Sequence, residues 1–410
     1  MKRIMILGAG IYQVPLIQKA KEMGLETIVV SIPGNYPGFA FADKVYKLDT
    51  RDQEAVLRAA QRERIDGICT SGTDVAVVTI GYVCEKLGLP GISYKAARTV
   101  TDKARMKAAF AARGVSGAKF FTAASSEEAK AAAGHLGYPV VIKRVDSSGS
   151  RGITLVSEEQ GVEKAYEDAM RGSRCPYVLV EECLTGTEIG VDGFVRDGRL
   201  VFLEPHEKFV FQGEKITVPM GHGFPYRGSE ALRKEIKRQI QLAVEATGMD
   251  QCPVNADVFV KGEKAWVIEV GGRTGATCIP ELIERYCGFN FYEKMIWNAL
   301  GEDVRFEQEG HKPCMAKLLM SPVNGKITAV YEKNLEKIRM AGTEVALDYV
   351  VGDAVTAMAN GTDRIGHVIA QVNSESELDN IIEEVQRCVA VNGKTLEELW
   401  KESKIISCCI

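Results

Sequence analysis

Val141-Ile-Lys-Arg-Val-Asp-Ser-Ser-Gly-Ser-Arg-Gly-Ile-Thr-Leu155, VIKRVDSSGSRGITL, ends an apolar run in a lysine and follows it at once with a glycine loop. A second β-rich run comes next, so the stretch reads as strand, glycine loop, strand. Such a loop lets backbone N–H groups approach an anion, and the Lys143 ammonium adds a point charge to the same oxygens. Taken alone it reads as well as a hairpin turn, because Ser and Gly are ordinary turn residues. A Walker loop is excluded, since that requires Gly-Lys-Ser/Thr running into a helix, whereas here the lysine precedes the loop and a strand follows. What the lysine and the glycines serve therefore depends on the rest of the chain.

Outward from this stretch, the 410 residues allow two or three domains with a substantial core. Hydrophobic residues make up 46% and charged residues 26%, ordinary values for a globular protein. A net charge of −4 leaves no basic surplus to neutralise a nucleic-acid backbone, so nucleic-acid binding is not expected. No run nears the roughly 20 apolar residues of a membrane span, and Met1-Lys-Arg-Ile enters a β pattern directly. The expectation is a cytoplasmic protein that does not engage membranes. The 11 cysteines lack C-x-x-C or zinc-type spacing and sit mostly in apolar segments, where a free thiol acts as a small hydrophobe. Cys408-Cys409 supports no mechanism.

Upstream, the first hundred residues alternate strand and helix: strands at 3–7, 26–31, 44–48 and 65–70, helices at 11–23, 53–63 and 73–87. This pattern predicts a doubly wound parallel sheet. GAGIYQ, with Gly8 and Gly10 after the first strand, suggests a dinucleotide loop, but Gln13 stands at the third glycine and Ser31 where a ribose-binding acid belongs. NAD is therefore not expected. A helix at 101–113 follows, then strand, helix and strand up to Lys143, and a helix at 158–170. Beyond it Asp197-Gly198 and Lys261-Gly262 mark hairpins between alternating runs, with a long helix at 229–246 between them. From about residue 312 an α+β segment runs to the end.

Four pieces then fall in order: Lys103 after the first domain; Lys143 and the loop Ser147–Gly152; the strand VLVEECLTGTEI ending in paired acids; and NADVFVKGEKAWVIEVGGRTGA, with Asp257 and Glu269 on paired strands and Arg273 beyond. Two lysines and a glycine loop suit a polyphosphate, hard oxygen ligands suit Mg²⁺, and Arg273 can fork onto a carboxylate or phosphate.

In this order and spacing, residues 1–300 resemble the ATP-grasp superfamily preceded by its N-terminal α/β domain. The chain is most similar to the carboxylate–amine ligase branch, including bacterial L-amino acid ligases, with biotin carboxylase-type enzymes related. The segment VVGDAVTAMANGTDRIGHVIAQVNSESELDNIIEEV resembles the closing domain of those amino acid ligases. The fold class implied is α/β and α+β: an N-terminal doubly wound domain at 1–100, an ATP-grasp domain at 101–305 with a mobile lid at about 120–185, and a C-terminal α+β segment at 306–410.

The resemblance also implies roles. Lys103 and Lys143 contact the α- and β-phosphates, and Ser148, Gly149, Ser150 and Gly152 fold over the β/γ end. Glu181 accepts from the adenine amino group, Glu182 and the backbone at Cys183 flank the ring, and Glu188 holds the ribose. Asp257 and Glu269 ligate Mg²⁺, or Mn²⁺ in its place. Arg273, with Lys143, serves the chemistry by gripping the substrate carboxylate and then the acyl phosphate. His206, Glu207, Lys208 and His222 lie where relatives place substrate contacts. The partners implied are a small-molecule carboxylate and an amine, with a homodimer through the first domain.

One departure stands out. Relatives carry Asn two residues after the second metal-binding Glu, and here that position is Gly271. Either water fills the place, or one metal is held more weakly, or a carboxylate elsewhere compensates. Three functions follow as alternatives: ATP-dependent ligation of a carboxylate, such as an amino acid, to an amine; bicarbonate-dependent carboxylation through carboxyphosphate; and nucleotide binding without turnover.

Overall fold

The structure is a computed structural model that describes residues 1–146, 152–212 and 217–403. The chain divides into two compact units: the first comprises Met1–Pro205, Gly228–Thr274 and Tyr292–Arg305, and the second His206–Arg227, Gly275–Phe291 and the chain from Phe306 on.

The first unit opens with a parallel sheet in the order Lys44–Lys47, Glu26–Ser31, Arg3–Leu7, Gly67–Cys69. Ile4, Met5, Ile6 and Leu7 are all fully buried. Successive strand residues point to opposite faces, so both faces of the central strand are covered, as a parallel sheet requires. The first helix begins at Val14 rather than Ile11, because Ile11–Gln13 form a turn. Gln13 folds back there: its Oε1 accepts from Gly10 N at 2.9 Å and its Nε2 donates to Ser71 O at 2.5 Å. The glycine turn is thus filled by the chain's own side chain.

The helix expected at 101–113 spans Lys103–Arg113, and a separate helix, Tyr94–Val100, precedes it. The break lies at Thr101-Asp102, where Asp102 turns extended and its carboxylate accepts from Ala104 N and Arg105 N, both at 3.0 Å. This N-cap satisfies two orphan amides and makes Lys103 the first residue of the second helix.

Next comes an antiparallel sheet in the order Phe120–Ala123, Val178–Glu182, Val140–Arg144, Ile153–Val156. The opening stretch is therefore a hairpin, with Lys143 opposite Ile153 across it. Helices Ser126–Leu136 and Val162–Met170 cover one face with a core that includes Ala129, Val140, Ile142, Val162, Val178 and Val180. Strand alternation sends Lys143 and Glu181 to the other face, where Leu179 and Val145 pack on Ala104. The last part of the unit sets Lys264–Gly271, Cys252–Lys261 and Thr187–Arg196 side by side, all antiparallel. Asp197 and Gly198 both take positive φ (52° and 68°), the geometry of the tight hairpin expected there.

The second unit begins partway along the strand Arg199–Gln212. Its strands Thr217–Phe224, Cys314–Leu319, Gly366–Ala370 and Glu344–Leu347 pair antiparallel in that order, and Met315, Leu319, Leu335, Ile365, Val368 and Leu378 centre its own core. After the strand Gly366–Ala370, Ser374 caps the helix Glu375–Gln386. The His367 ring is largely buried and Nε2 lies 3.3 Å from Glu344 Oε1. Among the described residues, no helix is long and apolar enough to cross a membrane.

Candidate functional site

The face of the hairpin that carries Lys143 bears a buried ion cluster. Lys143 Nζ lies 3.1 Å and Lys107 Nζ 3.3 Å from the same oxygen, Oε2 of Glu181. Glu181 and Lys107 are almost wholly buried. Burial raises the Glu181 carboxyl, but Lys107 and Lys143 outweigh that and hold it below its usual range. Burial lowers the Lys107 ammonium, and the neighbouring Lys143 charge adds to that against the pull of Glu181. Glu181 Oε1, buried beside them, has no hydrogen-bond partner among the described residues. Such an orphaned acceptor is what a donor on an incoming ligand, such as an exocyclic amino group, would satisfy.

Lys103 lies at the start of its helix with Nζ 3.2 Å from Glu269 Oε2. Burial lowers the Lys103 ammonium, yet Glu269 reverses this and raises it above its ordinary value. Burial likewise opposes the Glu269 charge, and Lys103 and then Lys143 bring that carboxyl down to about 2. Glu269 sits opposite Asp257 in the hairpin register, and Asn255 sits opposite Gly271. Asn255 and Asp257, two residues apart, share one face of their strand.

Arg273 is already engaged. Its Nε donates to Asp74 Oδ1 at 2.8 Å, Nη2 to Asp74 Oδ2 at 2.9 Å, and Nη1 to Asn255 Oδ1. Burial alone would lower the Arg273 guanidinium; the two-point fork from Asp74 raises it instead. The missing side chain at 271 has a structural counterpart. A Cβ there would lie 2.9 Å from Asp74 Oδ1, so the carboxylate of Asp74 occupies the space an Asn would need. Neither Asp74 nor Asn255 stands out in sequence, though Asn255, two residues before Asp257 on an alternating strand, shares its face.

The remaining expected residues are placed as follows. Glu182 joins the strand end to the preceding linker, its Oε1 accepting from Lys119 N at 2.9 Å and its own N–H donating to Lys119 O. The Cys183 N–H reaches Pro139 O at a long 3.4 Å. Glu188 pairs with Phe259 in the strand register. Gly152 takes a φ of +68° with its Cβ position against Arg144, a conformation suited to glycine. Ser148, Gly149 and Ser150 lie outside the described residues, as do Cys408 and Cys409.

His206, Glu207, Lys208 and His222 belong to the second unit. The His206 and His222 rings stack edge to face at 4.7 Å, both buried. Burial, then the neighbouring His206 and Lys208 charges, push the His222 imidazolium well below its ordinary range, so the ring is neutral near pH 7. Burial raises the Glu207 carboxyl. Lys107 is the residue the sequence reading missed, although its signal was available: four positions after Lys103, it faces the same side of the helix.

A cavity of about 420 Å³ adjoins the Lys103–Glu269 pair, with Asp74, Asn255, Gly271 and Arg273 in its wall. Among the described residues, no set of three or more His, Cys, Asp or Glu side chains is arranged to hold a metal by itself.

Residues 136–281 match the family model of the ATP-grasp domain. These residues form an ATP-grasp domain. The proteins that the chain is similar to are ATP-grasp enzymes that form C–N bonds. The formate-dependent phosphoribosylglycinamide formyltransferase of Rhodococcus jostii is 28% identical over 325 residues, covering 72% of this chain and 74% of that one. A phosphoribosylglycinamide synthetase from Anaerococcus prevotii superposes with a TM-score of 0.78 at 26% identity, covering 96% of this ATP-grasp chain and all of that one. An L-amino acid ligase from Bacillus licheniformis shares the fold at 18% identity and the same TM-score, over 96% and 99% of the two chains.

Proposed function

We propose that this protein activates a carboxylic acid as its acyl phosphate and transfers the acyl group to an amine, an amino acid being one of the two substrates and ADP and phosphate the by-products. The observation that carries the proposal is the Lys103–Glu269 pair beside the Lys107–Glu181–Lys143 cluster, with Arg273 on the same cavity. A carboxylate attacking a γ-phosphate brings two anions together, so the site must supply fixed cations. In this reading Lys103 and Lys143 neutralise the phosphates, Glu181 Oε1 accepts from the adenine amino group, and Glu182, Cys183 and Glu188 flank the nucleoside. Arg273 exchanges its Asp74 fork for the substrate carboxylate.

The donor set fits magnesium. Mg²⁺ takes one or two protein carboxylates and completes its shell with water and phosphate oxygens, so Asp257 and Glu269, opposed in the hairpin, suffice without a third acid. When bound, the ion would screen charge on the phosphates. The segment of about 120–185, which holds its own four-stranded sheet and core, is proposed as the lid that keeps water from the acyl phosphate.

The test is phosphate release from MgATP with a panel of acids and amines, with products identified by mass spectrometry. Formate is included because the Rhodococcus relative's name specifies it. Release that requires both an acid and an amine, with an amide among the products, is expected. Release that requires bicarbonate instead, or ATP binding with no release under any addition, would overturn the proposal.

A further inference from the structure

Lys103 and Lys107 stand one turn apart on the helix Lys103–Arg113 and meet separate carboxylates. Lys103 Nζ lies 3.2 Å from Glu269 Oε2, and Lys107 Nζ 3.3 Å from Glu181 Oε2. Glu181 already has a cation in Lys143, 3.1 Å from that same oxygen. One ammonium neutralises one carboxylate, so the second is surplus to Glu181 alone. It is also costly, because Lys107 is only 3% exposed and its charge is opposed by burial and by the neighbouring Lys143.

A surplus cation has a use if Lys143 does not stay on Glu181. In the function proposed above Lys143 turns its charge to the nucleotide phosphates, and Glu181 is then left with Lys107 as its close partner. Lys107 holds Oε2, so Oε1, buried and with no hydrogen-bond partner among the described residues, is the oxygen left open. An ionised carboxylate only accepts hydrogen bonds, whereas a protonated one carries an O–H donor. The bases that fit Oε1 therefore depend on whether Glu181 keeps its charge. The charged groups that bear on it are Lys107 and, farther off, Lys103 on the helix, Lys143 on the neighbouring strand, and Glu269, which acts on both helix lysines. Phe120, opposite Glu181 on its other neighbouring strand, brings no charge.

We propose that Lys107 is a positioning residue that sets the base preference of the nucleotide site. With Lys143 committed to phosphate, Lys107 keeps Glu181 ionised and held by Oε2, so that Oε1 admits a base with an exocyclic amino group and refuses one with a keto oxygen in its place. The inference rests on the proposed contact of Glu181 with the base and on no step of the ligase reaction.

The experiment is equilibrium titration of the full chain with ADP and with inosine diphosphate, in the presence of Mg²⁺, from about pH 6 to about pH 8. The two ligands share their diphosphate, whose own titration cancels in the ratio of affinities, and differ in carrying an amino group or a keto oxygen on the base. The unchanged protein is expected to favour ADP about tenfold or more throughout, the difference made when a buried acceptor faces another acceptor. Lys107→Met should narrow that preference severalfold near the acid end. Burial with one cation gone raises the Glu181 carboxyl, and its protonated form can donate to the keto oxygen; raising the pH ionises Glu181 and should restore the preference. Lys107→Arg should keep the full preference at every pH. Lys107→Gln, uncharged and of similar length, carries the same expectation as Lys107→Met and replaces it should that variant not fold. If the uncharged variants keep a full preference that does not vary with pH, or lose affinity for both ligands equally, the inference is overturned while Glu181 stands as the base contact. Equal binding of ADP and inosine diphosphate by the unchanged protein would overturn that contact and the inference together. The ligase reading is decided separately, by phosphate release.

Discussion

At the scale of single residues, the departure from the family pattern at Gly271 and the position of Asp74 are one feature seen from two sides. Asp74 Oδ1 lies 2.9 Å from where a Cβ at 271 would be, while both its oxygens hold Arg273. Gly271→Asn should therefore displace Asp74, release Arg273 from its fork and lower kcat/KM on the order of tenfold or more, a coupling typical of residues in contact. The double change Gly271→Asn with Asp74→Gly should recover part of that loss. Steady-state kinetics of the three variants checks it: independent, additive effects would mean that the two positions do not share one space. Lys107 carries a different lesson. A lysine on a helix is ordinarily a solvated residue, and only the pairing of its Nζ with Glu181 on a distant strand makes it part of a buried cluster. Lys103 and Lys143 were legible because their spacing to a glycine loop and an acidic pair matches a known order. Lys107, Asp74 and Asn255 have roles that exist only through contacts between segments far apart in the chain.

At the scale of elements, local rules carried far. Alternation sorted Lys143 and Glu181 to one face of their sheet and Val140, Ile142, Val178 and Val180 to the other, and the Asp197-Gly198 turn took the conformation its residues demand. The error fell at a helix start. The run from Thr101 reads as a continuous helix by composition, yet Asp102 is an N-cap, so the helix begins at Lys103, the lysine proposed to meet the phosphates. In the proposed function the cap matters, because it fixes where the first turn that carries Lys103 begins. Asp102→Ala removes both capping bonds and should cost about 1 kcal/mol of stability. It should also weaken nucleotide binding, whereas Asp102→Ser or Asp102→Asn, which can still cap, should largely restore both. Thermal unfolding with and without nucleotide reads the two effects. A variant that loses stability but keeps full nucleotide affinity would show that the cap does not position Lys103.

At the scale of the whole molecule, no single stretch makes the site. The strands that flank the glycine loop after Lys143 pair antiparallel. The proposed use depends on Lys103, Glu269 and Arg273 coming from other parts of the first unit, which is a property of topology rather than of any local pattern. The identities of the acid and amine were not legible for the same reason: they depend on a cavity whose walls come from many separated segments. The account stands or falls on where a nucleotide binds. The most direct measurement is a crystal structure with Mg²⁺ and a non-hydrolysable ATP analogue. The account predicts the triphosphate between Lys103 and Lys143, the metal on Asp257 and Glu269, and the adenine amino group on Glu181 Oε1. A nucleotide bound elsewhere, or one bound with Lys103, Lys143 and Glu269 turned away from its phosphates, would contradict it.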